Sequence, residues 1–457
     1  MTSVDRSRLP EVGADPAFTF PAIARHALSN GLRVWTVEHH SVPVMTFALQ
    51  VDGGSGADPA DLEGLAAVVA DMADEGTGPL TAIDMSDALA RIGADYDVDV
   101  GADATVFSLT TLTRFASRGA SLLADMVTRP SMRQTDFDRV RQLRLDRLRQ
   151  LKDLPSAVAE RAFLRLVYGT HPYGHLPIGG DASLRRVSLD AVTAFHRAAL
   201  QPARATLVVC GAMSHDDLLR HAADAFSAWA APGGGALPVA AAVQPGATPQ
   251  ARLAVVPRDG AAQSELRIGH LTTGRVTPDY PSLLVMNAVL GGQFVSRLNL
   301  KLREEKGYTY GARTGFDWRR GLSPFALQTS VHTAATADAI AISLAEIDGM
   351  RGARPPSDAE MTLAKASLTR GYPRGFETTQ QVARAVSQVA LYGLPDTYFA
   401  EFVPKVSAVT GADVAEAAAR HLDPAKLTTL IVGDHAAIAG TLPALGLGEP
   451  RVLSAEF

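Results

Sequence analysis

One cysteine, Cys210, stands among the 457 residues, so no disulfide can form within the chain. It sits in the apolar run ATLVVCGAM, a setting for a small buried hydrophobe rather than a reactive thiol. Nowhere do about 18 apolar residues run without interruption, which excludes a helical membrane span. The start, MTSVDRSRLPEVGADPAF, is polar and lacks the apolar core of a signal peptide. The expected compartment is cytoplasmic by default, or periplasmic if a leader was trimmed. Positive charge is not in excess either: 43 Lys and Arg face 48 Asp and Glu, for a net charge of -5. Acids and bases are interspersed, so no footprint for nucleic acid or an anionic membrane stands out. What the chain does have is a 47% hydrophobic content, enough to bury large cores in more than one domain.

An internal repeat organises the chain. VSLDAVTAFHRAALQPARATLVVCG (187–211) aligns without gaps on VTGADVAEAAARHLDPAKLTTLIVG (409–433), with seven identities in 25 positions, all of structural type. Both copies read as an amphipathic helix, a proline turn and a short apolar strand ending at glycine. The front ends match more loosely, GLRVWTVEHHSVPVMTFALQV against ARLAVVPRDGAAQSELRIGHL. Between the copies, WAAPGGGALPVAAAVQPGATPQ is rich in Gly, Pro and Ala and lacks charge, as an extended linker would be. The expected division is an N-terminal domain at 20–230, a linker at 231–250 and a homologous C-terminal domain at 251–440. Alternating strands such as DATVFSLTTL, followed by runs of helical spacing, make each half α+β, a sheet covered by helices on one face.

Strand, strand, the acidic-glycine turn VDGGSGADPADLEGLA, a helix and a Gly-Thr-Gly exit together resemble the N-terminal domain of the pitrilysin-type (inverzincin) zinc metallopeptidases. This group contains mitochondrial processing peptidase. SNGLRV, YGTHPYGHLPIG, ARATLVVCG and LGGQFVSRLNLKLREEKGYTYGA extend the resemblance from about Phe20 to Asp434. It implies two tandem homologous halves, each a mainly antiparallel sheet covered by helices, forming a clam-shell chamber.

Catalytic members carry H-x-x-E-H on the first helix, where two His on one face bind zinc and the Glu is the general base. On GLAAVVADM the His positions fall on Ala67 and Asp71, and the base position on Ala70. The distal Glu, about 76 residues further on in such enzymes, falls on Arg147. All four positions are lost, and a cation beside Asp71 opposes a divalent ion. The expectation is no metal in this chain. Asp71 and Arg147 either pair in place of the metal or stand exposed in a relaxed site. HPYGH (His171, His175) has metal-like spacing, but Pro172 and Gly174 disfavour a helix, and the resemblance assigns it to a structural loop. WTVEHH has Trp35 where the first His would stand. The basic run Arg139 to Lys152 reads as a solvated face or, failing that, a partner-facing one.

The second half keeps what the first has lost. LREEKGYTYG places Tyr310 seven residues after Arg303, matching the Arg/Tyr pair that the resemblance aims at the zinc site. A phenol can donate to the oxyanion of peptide hydrolysis, and a guanidinium can hold substrate carbonyls. Local sequence allows a plainer reading, in which Arg303 pairs with Glu304 or Glu305 and Tyr310 is half-buried on a strand. Tyr308 would share the face of Tyr310 on a regular strand. Gly291 and Gly292 read as a tight turn before Ser296 and Arg297. The resemblance thus implies the non-catalytic subunit of a bacterial heterodimeric peptidase. Its zinc would lie in a homologous partner bearing H-x-x-E-H, and its substrates would be peptides or unfolded polypeptides. A metal-free scaffold and a peptide-binding chamber without hydrolysis are the other two classes this fold allows.

Overall fold

The computed structural model describes Ser7, residues 18–230, Leu237 and residues 251–455. The expected linker lies outside the described residues except for Leu237, which is buried in the first core. The first sheet contains β1 (Ile23–Ala27), β2 (Arg33–Glu38), β3 (Val44–Asp52), β4 (Asp95–Val100), β5 (Ala104–Leu112) and β6 (Ala205–Gly211), in the order β1-β2-β6-β3-β5-β4. The second contains β7 (Leu253–Pro257), β8 (Gln263–Leu271), β9 (Ala312–Phe316), β10 (Pro324–His332), β11 (Thr428–Gly433) and β12 (Arg451–Val452), in the order β12-β7-β11-β8-β10-β9. Helices frame them: α1 (Leu65–Asp71), α2 (Ala116–Thr128), α3 (Gln134–Lys152), α4 (Pro155–Tyr168), α5 (Leu189–Ala199) and α6 (His215–Phe226) in the first half. In the second half stand α7 (Thr336–Asp348), α8 (Asp358–Thr369), α9 (Thr379–Tyr392) and α10 (Gly411–His421).

The repeat read from the sequence is α5 followed by β6 and α10 followed by β11. Each of these strands enters its sheet at the same place, antiparallel to β3 or β8 and parallel to β2 or β7. Only the strand at one border differs. β1 runs antiparallel to β2, whereas β12 runs parallel to β7 and carries the second sheet past residue 440, where the sequence boundary had been drawn.

Helices on one face alone, the sequence expectation, is too few, and the correction comes from the other half. On one face of the first sheet Phe47, Leu49, Leu109 and Leu207 pack in a core with α2 and α6. On the opposite face Val37, Ala48, Val208 and Cys210 meet Val382, Ala383 and Val386 of α9, a helix of the second half. Reciprocally, Ala254, Val256, Leu430 and Val432 of the second sheet meet Val158, Ala159, Phe163 and Leu166 of α4, a helix of the first. This is why β3 is buried at seven consecutive positions instead of alternating with solvent. Burial pushes the Cys210 thiol up to about 12, so it stays a protonated apolar group.

Polar contacts close the same seam. The Tyr168 hydroxyl donates to the Leu322 carbonyl at 2.6 Å, Arg319 donates to the Tyr173 carbonyl at 2.9 Å, and Arg320 meets Asp52 at 2.6 Å.

Candidate functional site

α1 begins at Gly64, whose φ of 97° belongs to the left-handed region, and buries Leu65 through Ala70. Its N-terminal N–H groups are held from below by one carboxylate: Asp58 accepts from the Gly64 and Ala66 N–H groups, each at 2.7 Å. The same carboxylate meets His175 Nε2 at 3.0 Å, with both side chains buried. The HPYGH loop thus buttresses the helix through a hydrogen bond. His171 is spent locally, accepting from the Tyr173 N–H at 3.0 Å.

The cation that meets Asp71 and Ala67 is Arg144, not Arg147. Arg144 Nε donates to Asp71 Oδ2 at 2.6 Å, and its Nη2 donates to the Ala67 carbonyl at 3.0 Å. One guanidinium therefore spans both positions at which the resemblance would place a histidine, at 13% side-chain exposure against 42% for Asp71. Arg147 points outward and meets Gln150 at 3.1 Å, so the Asp71–Arg147 pair does not form. The two arginines are three residues apart on α3, so counting along the chain reached the right helix but overshot by almost one turn the side chain that reaches α1. Ala67 and Ala70 are buried and offer no ligand atom. Burial, reinforced by the charge of Asp71, pushes the nearby Asp74 carboxyl above the usual range. Among the described residues no group of three or more His, Cys, Asp or Glu is placed to hold a metal ion. The donor set does not fit zinc: one carboxylate is already neutralised, and a fixed positive charge takes the place of ligands.

The second-half pair is built differently. Gly291 has an ordinary φ, and its glycine is needed for close approach: a Cβ there would meet the Thr314 N at 2.7 Å. Asn299 then fastens the turn, donating to the Gln293 and Ala312 carbonyls at 3.2 and 2.8 Å and accepting from the Ala312 N–H at 2.9 Å. Arg303 lies on the π-helical turn Leu300–Glu305, its guanidinium over the Phe294 ring at 4.3 Å and 3.6 Å from Glu304. Tyr310 is in the loop before β9, not on a strand, and is 91% exposed. Tyr308 is half-buried against the second core, and its hydroxyl donates to Asp338 on α7 at 2.7 Å. The two phenols, equivalent by spacing, therefore differ: one hydroxyl is engaged and the other faces solvent. Phe294, Asn299 and Arg144 were missed in the sequence. Only the FVSRLN segment, with large apolar residues next to a glycine pair, hinted at the first.

Arg297, at the head of this turn, grips Glu360 of α8 at 2.6 and 2.9 Å. Arg297 first, and the Ser357 N–H and hydroxyl after it, hold the Glu360 carboxyl at about 2, below its ordinary 4.5. A depressed carboxyl stabilises the fold fully above pH 4.5 and loses that contribution as pH falls through about 2. Glu360→Gln is expected to lower stability by about 1–2 kcal/mol at neutral pH. Its deficit should close between pH 4.5 and 2, read from denaturation midpoints of both proteins across that range.

Two family profiles match this architecture half by half. The one described as insulinase (peptidase family M16) covers residues 33–178, and the one described as peptidase M16 inactive domain covers residues 186–368. The chain belongs to the M16 peptidase family. An uncharacterized zinc protease of Mycobacterium tuberculosis is 25% identical over 425 residues, 92% of this chain and 95% of that protein. The beta subunit of bovine mitochondrial-processing peptidase is 22% identical over 218 residues, 47% of this chain and 44% of that subunit. Among solved structures, a peptidase M16 inactive domain from Pseudomonas fluorescens superposes with a TM-score of 0.84 at 24% identity, over 90% of this chain and 98% of that one. A protease from Helicobacter pylori gives 0.82 at 18% identity, over 91% and 100%. The two-sheet fold is thus the M16 fold. No described helix is long and apolar enough to cross a membrane.

Proposed function

We propose that this M16 chain is the non-catalytic subunit of a bacterial heterodimeric zinc metallopeptidase. The observation that carries the reading is the contrast between its two halves: Arg144 fills the space at Asp71 and Ala67, while Tyr310 is held out to solvent and Arg303 is propped on Phe294. A hydroxyl left free on a braced loop suits a group that acts on something outside its own chain. In this reading the metal belongs to a homologous partner bearing H-x-x-E-H, and the chamber closes between the two chains. Tyr310 donates to the oxyanion of the peptide under attack, and Arg303 holds a neighbouring carbonyl. The substrate is an extended peptide or unfolded polypeptide that lies along a sheet edge. A scaffold of the same fold has no use for either side chain.

Co-expression with a homologous H-x-x-E-H chain tests this. Peptidase activity is expected only in the mixture, lost on chelation and restored by zinc, with the metal bound to the partner after separation. Hydrolysis by this chain alone, with one zinc per molecule, would overturn the proposal.

A further inference from the structure

Where the two halves meet, α4 of the first and the border strand β12 of the second flank a cavity of about 410 Å³. Part of its lining is apolar: Val158 and Leu166 are buried on α4, and the half-buried Leu453 packs against their cluster. The rest is charged. Arg161 and Arg165 come from α4, Arg186 from the end of the short helix Asp181–Arg186, and Arg451 from β12. Against these four guanidinium groups stand two carboxylates among the described lining residues, Glu63 and Asp181. Both are already engaged. Glu63 accepts from Arg165 at 2.6 Å, and Asp181 is gripped at 2.7 and 3.0 Å by Arg185, from outside the cavity. Neutral carbonyls hold two more of the arginines without cancelling charge: Arg161 donates to Gly179 at 2.6 Å, and Arg186 donates to Asp61 at 2.8 Å. Burial, with the charge of Arg165 added to it, pushes the Arg161 guanidinium down to about 10. A cation that has lost its water gains from an anion brought beside it.

Arg165 and Glu63 show how this cavity takes an acid, the planar fork of an arginine matching a carboxylate. The surplus positive charge is carried by different elements around an apolar lining. That arrangement suits two anionic groups joined by a carbon chain better than one compact ion. The volume agrees, since pockets for small organic ligands run from about 300 to 1,000 Å³. We propose that this cavity binds a small organic dicarboxylate, with one carboxylate at Arg161 of α4, the other at Arg451 of β12, and its carbon chain over Val158, Leu166 and Leu453. A ligand so placed is bonded to both halves, and its binding free energy adds to the stability of the whole chain. The inference does not use Arg303 or Tyr310 and concerns this chain alone. A failed reconstitution leaves it standing, and its own failure leaves the two-chain reading untouched.

The test is isothermal titration calorimetry of the purified full chain with straight-chain dicarboxylates from succinate to suberate. Each is compared with the monocarboxylate of equal length and with inorganic phosphate. The best dicarboxylate is expected to bind about tenfold more tightly than its monocarboxylate and than phosphate. The thermal unfolding midpoint should rise with its concentration. Arg451→Gln should bring the dicarboxylate down to the affinity of the monocarboxylate, erasing the advantage of the second anionic group. Glu63→Gln, which removes a competing carboxylate and releases Arg165, should tighten binding about threefold, a gain that damage to the fold cannot produce. Absence of binding, equal affinity for dicarboxylate and monocarboxylate, or tighter binding of phosphate would overturn the proposal. Indifference to both Arg451→Gln and Glu63→Gln would overturn it as well.

Discussion

Tyr310→Phe, carried into the two-chain peptidase, is expected to lower kcat by about 10²–10³-fold while KM changes by less than about twofold. The ring and its exposure are retained, so only the hydroxyl is removed. An interaction made only at the transition state is lost from kcat and kcat/KM alike. Tyr308→Phe is the matched control. Its hydroxyl is engaged by Asp338 at the surface, so the substitution should change stability little and leave turnover intact. Single-turnover and steady-state measurements on the three complexes distinguish the roles. Wild-type turnover by the Tyr310→Phe complex would remove the phenol from the chemistry.

Asp58→Ala should be the most damaging substitution for the fold of the first half. Three donors converge on this buried carboxylate: the Gly64 and Ala66 N–H groups and His175. Truncation strands all three in a buried site, for a loss of about 3–5 kcal/mol. Chemical denaturation followed by tryptophan fluorescence should show the midpoint falling accordingly. His175→Ala, which strands only one side of one bond, should cost less. Equal stability of Asp58→Ala and wild type would show that water replaces the carboxylate.

Much of this was legible in the sequence, and the limits have physical causes. The duplication was legible because each copy must rebuild the same helix, proline turn and buried strand, so Val187 to Gly211 and Val409 to Gly433 kept their pattern. That Ala67 and Ala70 offer no ligand atom was legible because neither side chain carries a donor. Arg144 was not: on a helix with arginines at nearly every turn, spacing alone does not say which one faces α1. The resting place of α4 and α9 was hidden for a related reason, since an amphipathic pattern marks an apolar face without naming the sheet that covers it. The difference between Tyr308 and Tyr310 depended on Asp338, some thirty residues downstream, and no local pattern carries that contact.

The exchange of α4 and α9 between halves has a mechanical consequence. Prising the halves apart would bare two apolar seams at once, Phe163 and Leu166 on one and Val382 and Val386 on the other, at about 1.5–3 kcal/mol for each large side chain. The halves are interlocked like the protomers of a domain-swapped dimer joined into one polypeptide. Neither is expected to fold to a soluble product when expressed without the other, and thermal unfolding should proceed as one cooperative event rather than two.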